Sequence, residues 1–445
     1  MFLKLLIFLS AGSFVFISCS KEKNNSSIKE FEQKMDKIAE GYIKLVLNTG
    51  KYDPDYVDAY YGPEELKPSD RDPAENDSIG LKKLYDNSGT LLDMLDSASH
   101  YEVDEINVLR YKFLYKQLLA VRTKLFMLSG GRLSFDQESK ALYDASAPNH
   151  DAAYFEKIID ELDKELPGND GIQTRLNNFK KSYIIPKERL DTVLHTAIAE
   201  CRKRTLNHIK LPGNENFEVE YVTGKPWGGY NWYKGNFFSL IQVNTDLPVY
   251  IDRAVDIAAH EGYPGHHVYN TMLESRLVKN RGWLEFTVYP LFSPQSLIAE
   301  GSANYGIEVA FPGDSRIKFE REILFPLAGL DASKAGKYYK ILKLTSKLSY
   351  AGNEAARNYI DGRWSKEETV NWLMKYSLMS PNHAEKHFQF IEKYRSYVIN
   401  YNLGEDLVKD YIEKNGGTAE NPEMRWKLFE KIVSTPQIAS NFQKR

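Results

Sequence analysis

The sequence predicts a mainly α-helical protein with a small β-sheet just ahead of its histidine-rich segment. Three observations lead there. Between Ile28 and about Pro212, apolar residues recur at spacings of three and four, the period of a helix that buries one face. Only two clear stretches alternate apolar with polar residues as half-buried strands do. Beyond Pro248 the helical period returns at Ile251 and holds to the end of the chain, interrupted at Pro264, Pro290, Pro312 and Pro381.

Each element follows from local pattern. Phe31, Met35, Ile38, Tyr42 and Leu45 mark a first helix that Gly50 closes. Ile106, Leu109, Phe113, Leu114, Leu118 and Val121 mark a second, ending at Gly130-Gly131. Leu190, Val193, Ala197 and Cys201 mark a third before Pro212-Gly213. Phe217, Val219 and Tyr221 then alternate with Glu218 and Glu220 as one strand, and Phe238 to Val243 read as another. Between them Lys225 to Asn236 form a loop rich in glycine and aromatics, which either rims a cleft or packs its rings on the body. No fixed-period repeat is present.

The chain opens on Met1-Phe2-Leu3-Lys4, followed by an apolar run from Leu5 to Ile17 and then Ser18-Cys19. That run is shorter than the ~20 residues a spanning helix needs. Its form resembles a lipoprotein leader over residues 1–18, cleaved before an acylated Cys19, with residues 19–27 as a polar tether. An ordinary leader with a chance cysteine is the alternative. The leader places the protein in the cell envelope, lipid-anchored at the outer membrane of a Gram-negative cell, on the periplasmic or surface side. Lys21-Glu22 behind the cysteine resembles a surface-export tag. Cys201 is the other of the 2 cysteines, so a lipidated Cys19 leaves no intrachain disulfide.

With 42% hydrophobic and 27% charged residues, the 445-residue chain has ordinary globular composition, which excludes collagen-like, disordered and polytopic membrane classes. A net charge of -3 gives no field that would gather nucleic acid. No obligate protein partner is evident. The length allows two or three domains at about 150 residues each. The favoured organisation is an N-terminal helical region, 28–213, with a catalytic region, 214–445, packed on it as one body.

Of 9 histidines, three fall in His260-Glu-Gly-Tyr-Pro-Gly-His266-His267. In the zinc motif HExxH, two histidines one turn apart hold the metal and the intervening Glu takes a proton from water. Here the start matches and the spacing does not. On a regular helix the residue at i+6 lies about 240° round from i, and i+7 lies about 10.5 Å away. Pro264 and Gly265 are therefore expected to distort the helix and bring His266 beside His260. His266 is preferred over His267 as second ligand, the other standing behind it or facing substrate. Glu300 is the third candidate ligand, a carboxylate on a predicted helix among Leu297, Ile298, Ala303 and Ile307. Asn304 and Glu308 follow at i+4 and i+8, where groups that orient a ligating histidine can stand. A rival pair is His383 and His387, one turn apart beside Lys386.

These blocks resemble a bacterial domain-of-unknown-function family, number 885, many of whose members are lipoproteins. Its HExxPGHH block matches His260 to His267, and its EGWALY-like block matches Glu300-Gly-Ser-Ala-Asn-Tyr305. Similarity extends to Val57-Asp-Ala-Tyr-Tyr-Gly-Pro63, to Arg357 with Asp361, and to the segment from Tyr394-Arg395 to Gly404. Two positions depart: Ser302 stands where the family has Trp, and Asp361-Gly-Arg-Trp364 lacks the histidine that often follows the Asp.

The resemblance implies a large helical zincin-like metallopeptidase fold. It implies one Zn²⁺ per chain on His260, His266 and Glu300, with Glu261 as general base. The expected activity is zinc-dependent hydrolysis of peptide or protein substrates at the envelope. Arg357 is the first choice to steady the oxyanion, followed by Tyr305 and Tyr350. His267, Asn304, Glu308, Tyr263 and Asp361 are expected behind the ligands or at the substrate. The strand Phe238 to Val243 is expected to pair with an extended peptide by edge addition. The competing readings are an envelope lipoprotein that binds peptides or glycans without cleaving them, and a zinc amidase or esterase using the same chemistry.

Overall fold

The computed structural model describes residues 12–68, 77–225, 227–246 and 248–443, but not the side chains of residues 12–26 and 77. Most of the expected leader and the side chain of Cys19 therefore lie outside the described residues. The fold is mainly helical with small sheets. The three helices read from the sequence are present as Gly12–Thr49, Glu105–Leu128 and Lys187–Leu206. The first runs through residues 19–27, the segment expected to be a polar tether. Lys21, Glu22 and Lys23 are good helix formers, and extending an existing helix adds one hydrogen bond per residue fixed. Among the described residues, no helix is long and apolar enough to cross a membrane.

Strands are more numerous than the alternation predicts. Among the described residues there are five: β1 Val57–Tyr60, β2 Asn216–Val222, β3 Gly229–Gly235, β4 Phe238–Asn244 and β5 Val288–Pro290. The stretch read as an aromatic loop contains β3, whose Tyr and Trp residues suit a strand once β4 is there to pair with. The three-stranded sheet runs β2-β4-β3, with β2 parallel and β3 antiparallel to β4. β4 is thus central, with both edges paired, and cannot add a peptide as expected. β1 pairs antiparallel with β5, and the register shifts between Val57 and Ala59.

The main core runs without a break from Phe31 to Phe442 and takes in residues from both sides of position 213. Contacts between the halves include a buried ion pair, in which Arg110 Nε donates to Glu285 Oε1 at 2.6 Å. The Pro294–Ala310 helix lies in the middle of this core. It meets the Ile399–Lys414 helix at Gly301 and Gly404, where a Cβ on Gly301 would lie 2.2 Å from the Gly404 carbonyl carbon. That close approach fixes the helix carrying Glu300 against the one that begins just after Tyr397. Cys201 is buried, and burial pushes its thiol up, so it behaves as a small apolar residue.

Candidate metal centre

The Ile251–Ile257 helix runs into a wider π-helical turn, Ala258–Gly262, and stops. The Tyr263-Pro264 peptide bond is cis, Gly265 follows, and a new helix, His266–Leu273, begins. The expected distortion is thus a full break and restart. Gly265 is required by contact: a Cβ there would lie 1.9 Å from the His260 carbonyl oxygen and 2.4 Å from that of Ala259. This tight return lets two residues six apart share one centre.

His260 Nε2 and His266 Nε2 lie 3.1 Å apart. Glu300 brings Oε2 to 3.4 Å from His260 Nε2 and Oε1 to 3.8 Å from His266 Nε2. The three ligand atoms all fall within 4.8 Å of one another, which no other group of three metal-binding side chains does among the described residues. The structure thus brings together His260, His266 and Glu300, and sends His267 elsewhere.

Second contacts prepare the ligand atoms. Asn304 Nδ2 donates to the Tyr401 carbonyl at 2.8 Å, which turns its Oδ1 toward His260 Nδ1, also 2.8 Å away. In the neutral imidazole Nδ1 therefore carries the proton, which leaves the Nε2 lone pair facing the centre. Glu300 Oε1 accepts from the Tyr397 hydroxyl at 3.0 Å, while Oε2 is buried with no hydrogen bond. In the metal-free protein burial pulls His260 down, but the carboxylates of Glu261 and Glu300 outweigh it and raise it to about 9. Burial pushes Glu300 up, but His266 and His260 hold it well below the carboxylate range.

This donor set fits zinc. A Zn–N distance of 2.0–2.1 Å at a tetrahedral angle separates two nitrogens by about 3.3 Å, close to the spacing seen here. Two imidazoles and one buried carboxylate are also the ligand number and type of an open zinc site.

Behind the ligands sits a buried polar cluster. His267 Nδ1 meets Ser239 Oγ at 2.9 Å and Nε2 meets Glu215 Oε2 at 3.0 Å. Glu215 also accepts from the Tyr263 hydroxyl at 2.5 Å and from Arg202 at 2.7 Å. Burial raises the Glu215 carboxyl, but His267, Tyr263 and Arg202 outweigh it and lower it overall. His267 and Tyr263 thus tie the turn between the ligands to the sheet. Glu261 is buried beside His260; its carbonyl accepts from Asn231 Nδ2 at 2.6 Å, and Gly229 packs against its carboxylate.

Several expected residues stand elsewhere. The Arg357 guanidinium is buried and pairs with Glu354, Asp136 and the Ala147 carbonyl, and no contact with His260, His266 or Glu300 is among its hydrogen bonds. Tyr305 is buried with its ring 5.8 Å from the Arg425 guanidinium, and Tyr350 donates to Asp406. Glu308 pairs with Lys409 at 2.9 Å instead of orienting a ligand. Asp361 accepts from the Phe135 amide at 2.7 Å, at the start of another helix. His383 is exposed and takes part in no metal-binding group among the described residues, nor does His387, which burial lowers to about 4.

The residues that sequence reasoning missed are tyrosines and an aspartate. Tyr397 holds Glu300, and Tyr401 follows at i+4. Tyr401 is 40% exposed, yet burial of its hydroxyl, then the charge of Glu300, raise it well above the usual phenol range. Asp58 on β1 accepts from the Tyr230 hydroxyl. The signal available was the spacing of Tyr394, Tyr397 and Tyr401 at three and four residues.

No family profile matches the chain, and no curated protein matches it. A solved structure described as "the putative lipoprotein from Colwellia psychrerythraea" aligns with it at a TM-score of 0.49 and 13% identity, over 83% of this chain and 70% of that one.

Proposed function

We propose that this protein is a zinc-dependent hydrolase of peptide bonds with a zincin-like arrangement of one zinc per chain, anchored in the cell envelope through Cys19. The observation that carries the reading is the facing pair of Nε2 atoms, 3.1 Å apart, with Glu300 beside them and Glu261 next in sequence to His260. Zinc, when bound, supplies a Lewis acid that polarises an acyl oxygen and makes water acidic near neutral pH.

The chain's own residues supply the rest. Glu261 accepts the proton of the attacking water and hands it to the leaving amine. Its position is fixed by Asn231 and by the close packing of Gly229, so little reorganisation is needed at the moment of reaction. Tyr401, whose hydroxyl feels the charges of Glu300 and Glu261, takes the role first given to Arg357: a phenol there can donate to an oxyanion. β3, an edge of its sheet, flanks Glu261 and replaces β4 as the strand beside which an extended peptide would lie.

The test is the Glu261→Gln protein, measured for zinc by elemental analysis and for turnover on a mixed peptide library. Retained zinc with turnover lost supports the reading. Full activity in that variant sinks the mechanism. A wild-type protein that binds peptides and cleaves none points instead to a binding lipoprotein.

A further inference from the structure

The ligand set and base explain how a peptide bond is cleaved but not which peptide is taken. Asp58 bears on that question. It lies where the β1–β5 register shifts, between Val57 opposite Pro290 and Ala59 opposite Tyr289. A bulge of this kind re-aims one side chain out of the pleat, and such bulges gather beside active sites.

Its surroundings fix where the carboxylate points. Asp58 Oδ1 accepts from the hydroxyl of Tyr230 on β3. The residues on either side of Tyr230 are Gly229 and Asn231, the two that hold Glu261. Asp58 and Glu300 both lie close enough to Tyr289 on β5 for their charges to act on its hydroxyl. Asp58 is therefore placed between β3 and β5 on the rim of the centre, half-buried, with no salt bridge to any cation among the described residues.

The charge balance calls for a partner. Asp58, Glu261 and Glu300 are three carboxyl groups around two imidazoles; burial, then the charges of Glu300 and Glu261 against the pull of His266, push Asp58 up to about 7, so that a cation beside it would hold it ionised. Arg253, whose charge reaches His260, is itself paired with Asp256 at 3.1 Å. The Tyr230 ring, whose hydroxyl reaches the carboxyl group, lies 5.4 Å from Trp227 and 4.7 Å from Trp232, centroid to centroid. Such a carboxyl group favours a cationic partner that can donate a hydrogen bond to it.

We infer that Asp58 forms a subsite for a primary ammonium group of the peptide substrate, beside the zinc centre. This rests on the peptide-hydrolase reading and narrows it. The α-ammonium of an N-terminal residue and the ε-ammonium of lysine share the required chemistry. The first would make the enzyme trim free N-termini; the second would make it select lysine next to the cleaved bond.

The experiment uses the full-length, zinc-loaded Glu261→Gln protein, so that binding is read without turnover. Calorimetry compares one lysine-containing pentapeptide in three forms: unmodified, N-terminally acetylated, and acetylated at the lysine ε-amine. Acetylation at one of the two positions is expected to weaken binding at least tenfold, and which position does so names the source of the ammonium. Adding Asp58→Asn should bring the unmodified peptide down to the affinity of that acetylated form, with zinc content unchanged. Tyr230→Phe, which removes the hydrogen bond that orients Asp58, should reduce the discrimination without abolishing it. Equal affinity for all three peptides overturns the subsite and leaves the peptide site standing. Discrimination that survives Asp58→Asn also overturns it. Absence of binding by any form overturns the subsite together with the peptide reading.

Discussion

His260 Nδ1 meets Asn304 Oδ1 at 2.8 Å, and this contact decides which ring nitrogen is left for a metal. Asn304 is itself held by the Tyr401 carbonyl, so the amide cannot turn its nitrogen to the ring without losing that bond. Asn304→Ala removes both contacts and frees the imidazole to rotate or change tautomer. Zinc affinity should fall about 10–100-fold, the usual effect of deleting a group that orients a ligating histidine. Competition with a chelator of known affinity measures it; an unchanged affinity would show that the amide does not set the tautomer.

Gly265 makes a second prediction. Its missing Cβ is the space through which the carbonyls of His260 and Ala259 pass, and both are backbone atoms that cannot swing aside. Gly265→Ala should force His260 and His266 apart. Zinc should be lost together with about 1–3 kcal/mol or more of stability. Gly213→Ala, at a glycine with nothing near its would-be Cβ, is the control and should keep both. A Gly265→Ala protein with one zinc per chain and a normal melting temperature would refute this account of the turn.

The two outcomes bear on what was legible in the sequence. The helices around Phe31, Phe113 and Val193 could be read because a buried face repeats every three to four residues. β3 could not, because its burial depends on pairing with β4 and on packing near Glu261, neither of which is local. The cluster of His260, His266 and Glu300 was legible as residue types in order, and Asn304 as a neighbour at i+4 of Glu300. The setting of Arg357 was not legible, because an arginine's role depends on which carboxylates surround it. Here they are Glu354, on its own helix, and Asp136, more than two hundred residues away in sequence.

Arg357 and Tyr401 should therefore separate cleanly by phenotype. Arg357→Met leaves Glu354 buried without its cation, which should cost about 3–5 kcal/mol of stability. Turnover of the fraction that remains folded should be nearly unchanged. Tyr401→Phe should keep the melting temperature and the zinc while lowering kcat by about 10²–10³-fold, with KM little altered. The reverse pattern, a stable but inactive Arg357→Met protein, would restore arginine as the oxyanion donor.

The last prediction concerns pH, and its sign follows from two opposed shifts. In the metal-free protein His260 is raised to about 9, above the value of roughly 6.5 it has when unfolded. Its contribution to stability is thus fully present below about pH 6.5 and is lost as the pH rises through about 9. Glu300 is lowered, so its contribution is present above its unfolded value of roughly 4.3 and is lost as the pH falls through its depressed folded value. The metal-free protein should therefore lose melting temperature steadily from pH 6.5 to 9. Zinc reverses the trend, because it requires His260 neutral and binding expels the proton. Affinity should rise about tenfold per pH unit over that interval for one proton released. The gap in melting temperature between zinc-loaded and metal-free protein should accordingly widen from pH 6.5 to 9. A gap that stays constant across the interval would mean that His260 does not exchange a proton for the metal, and would count against it as a ligand.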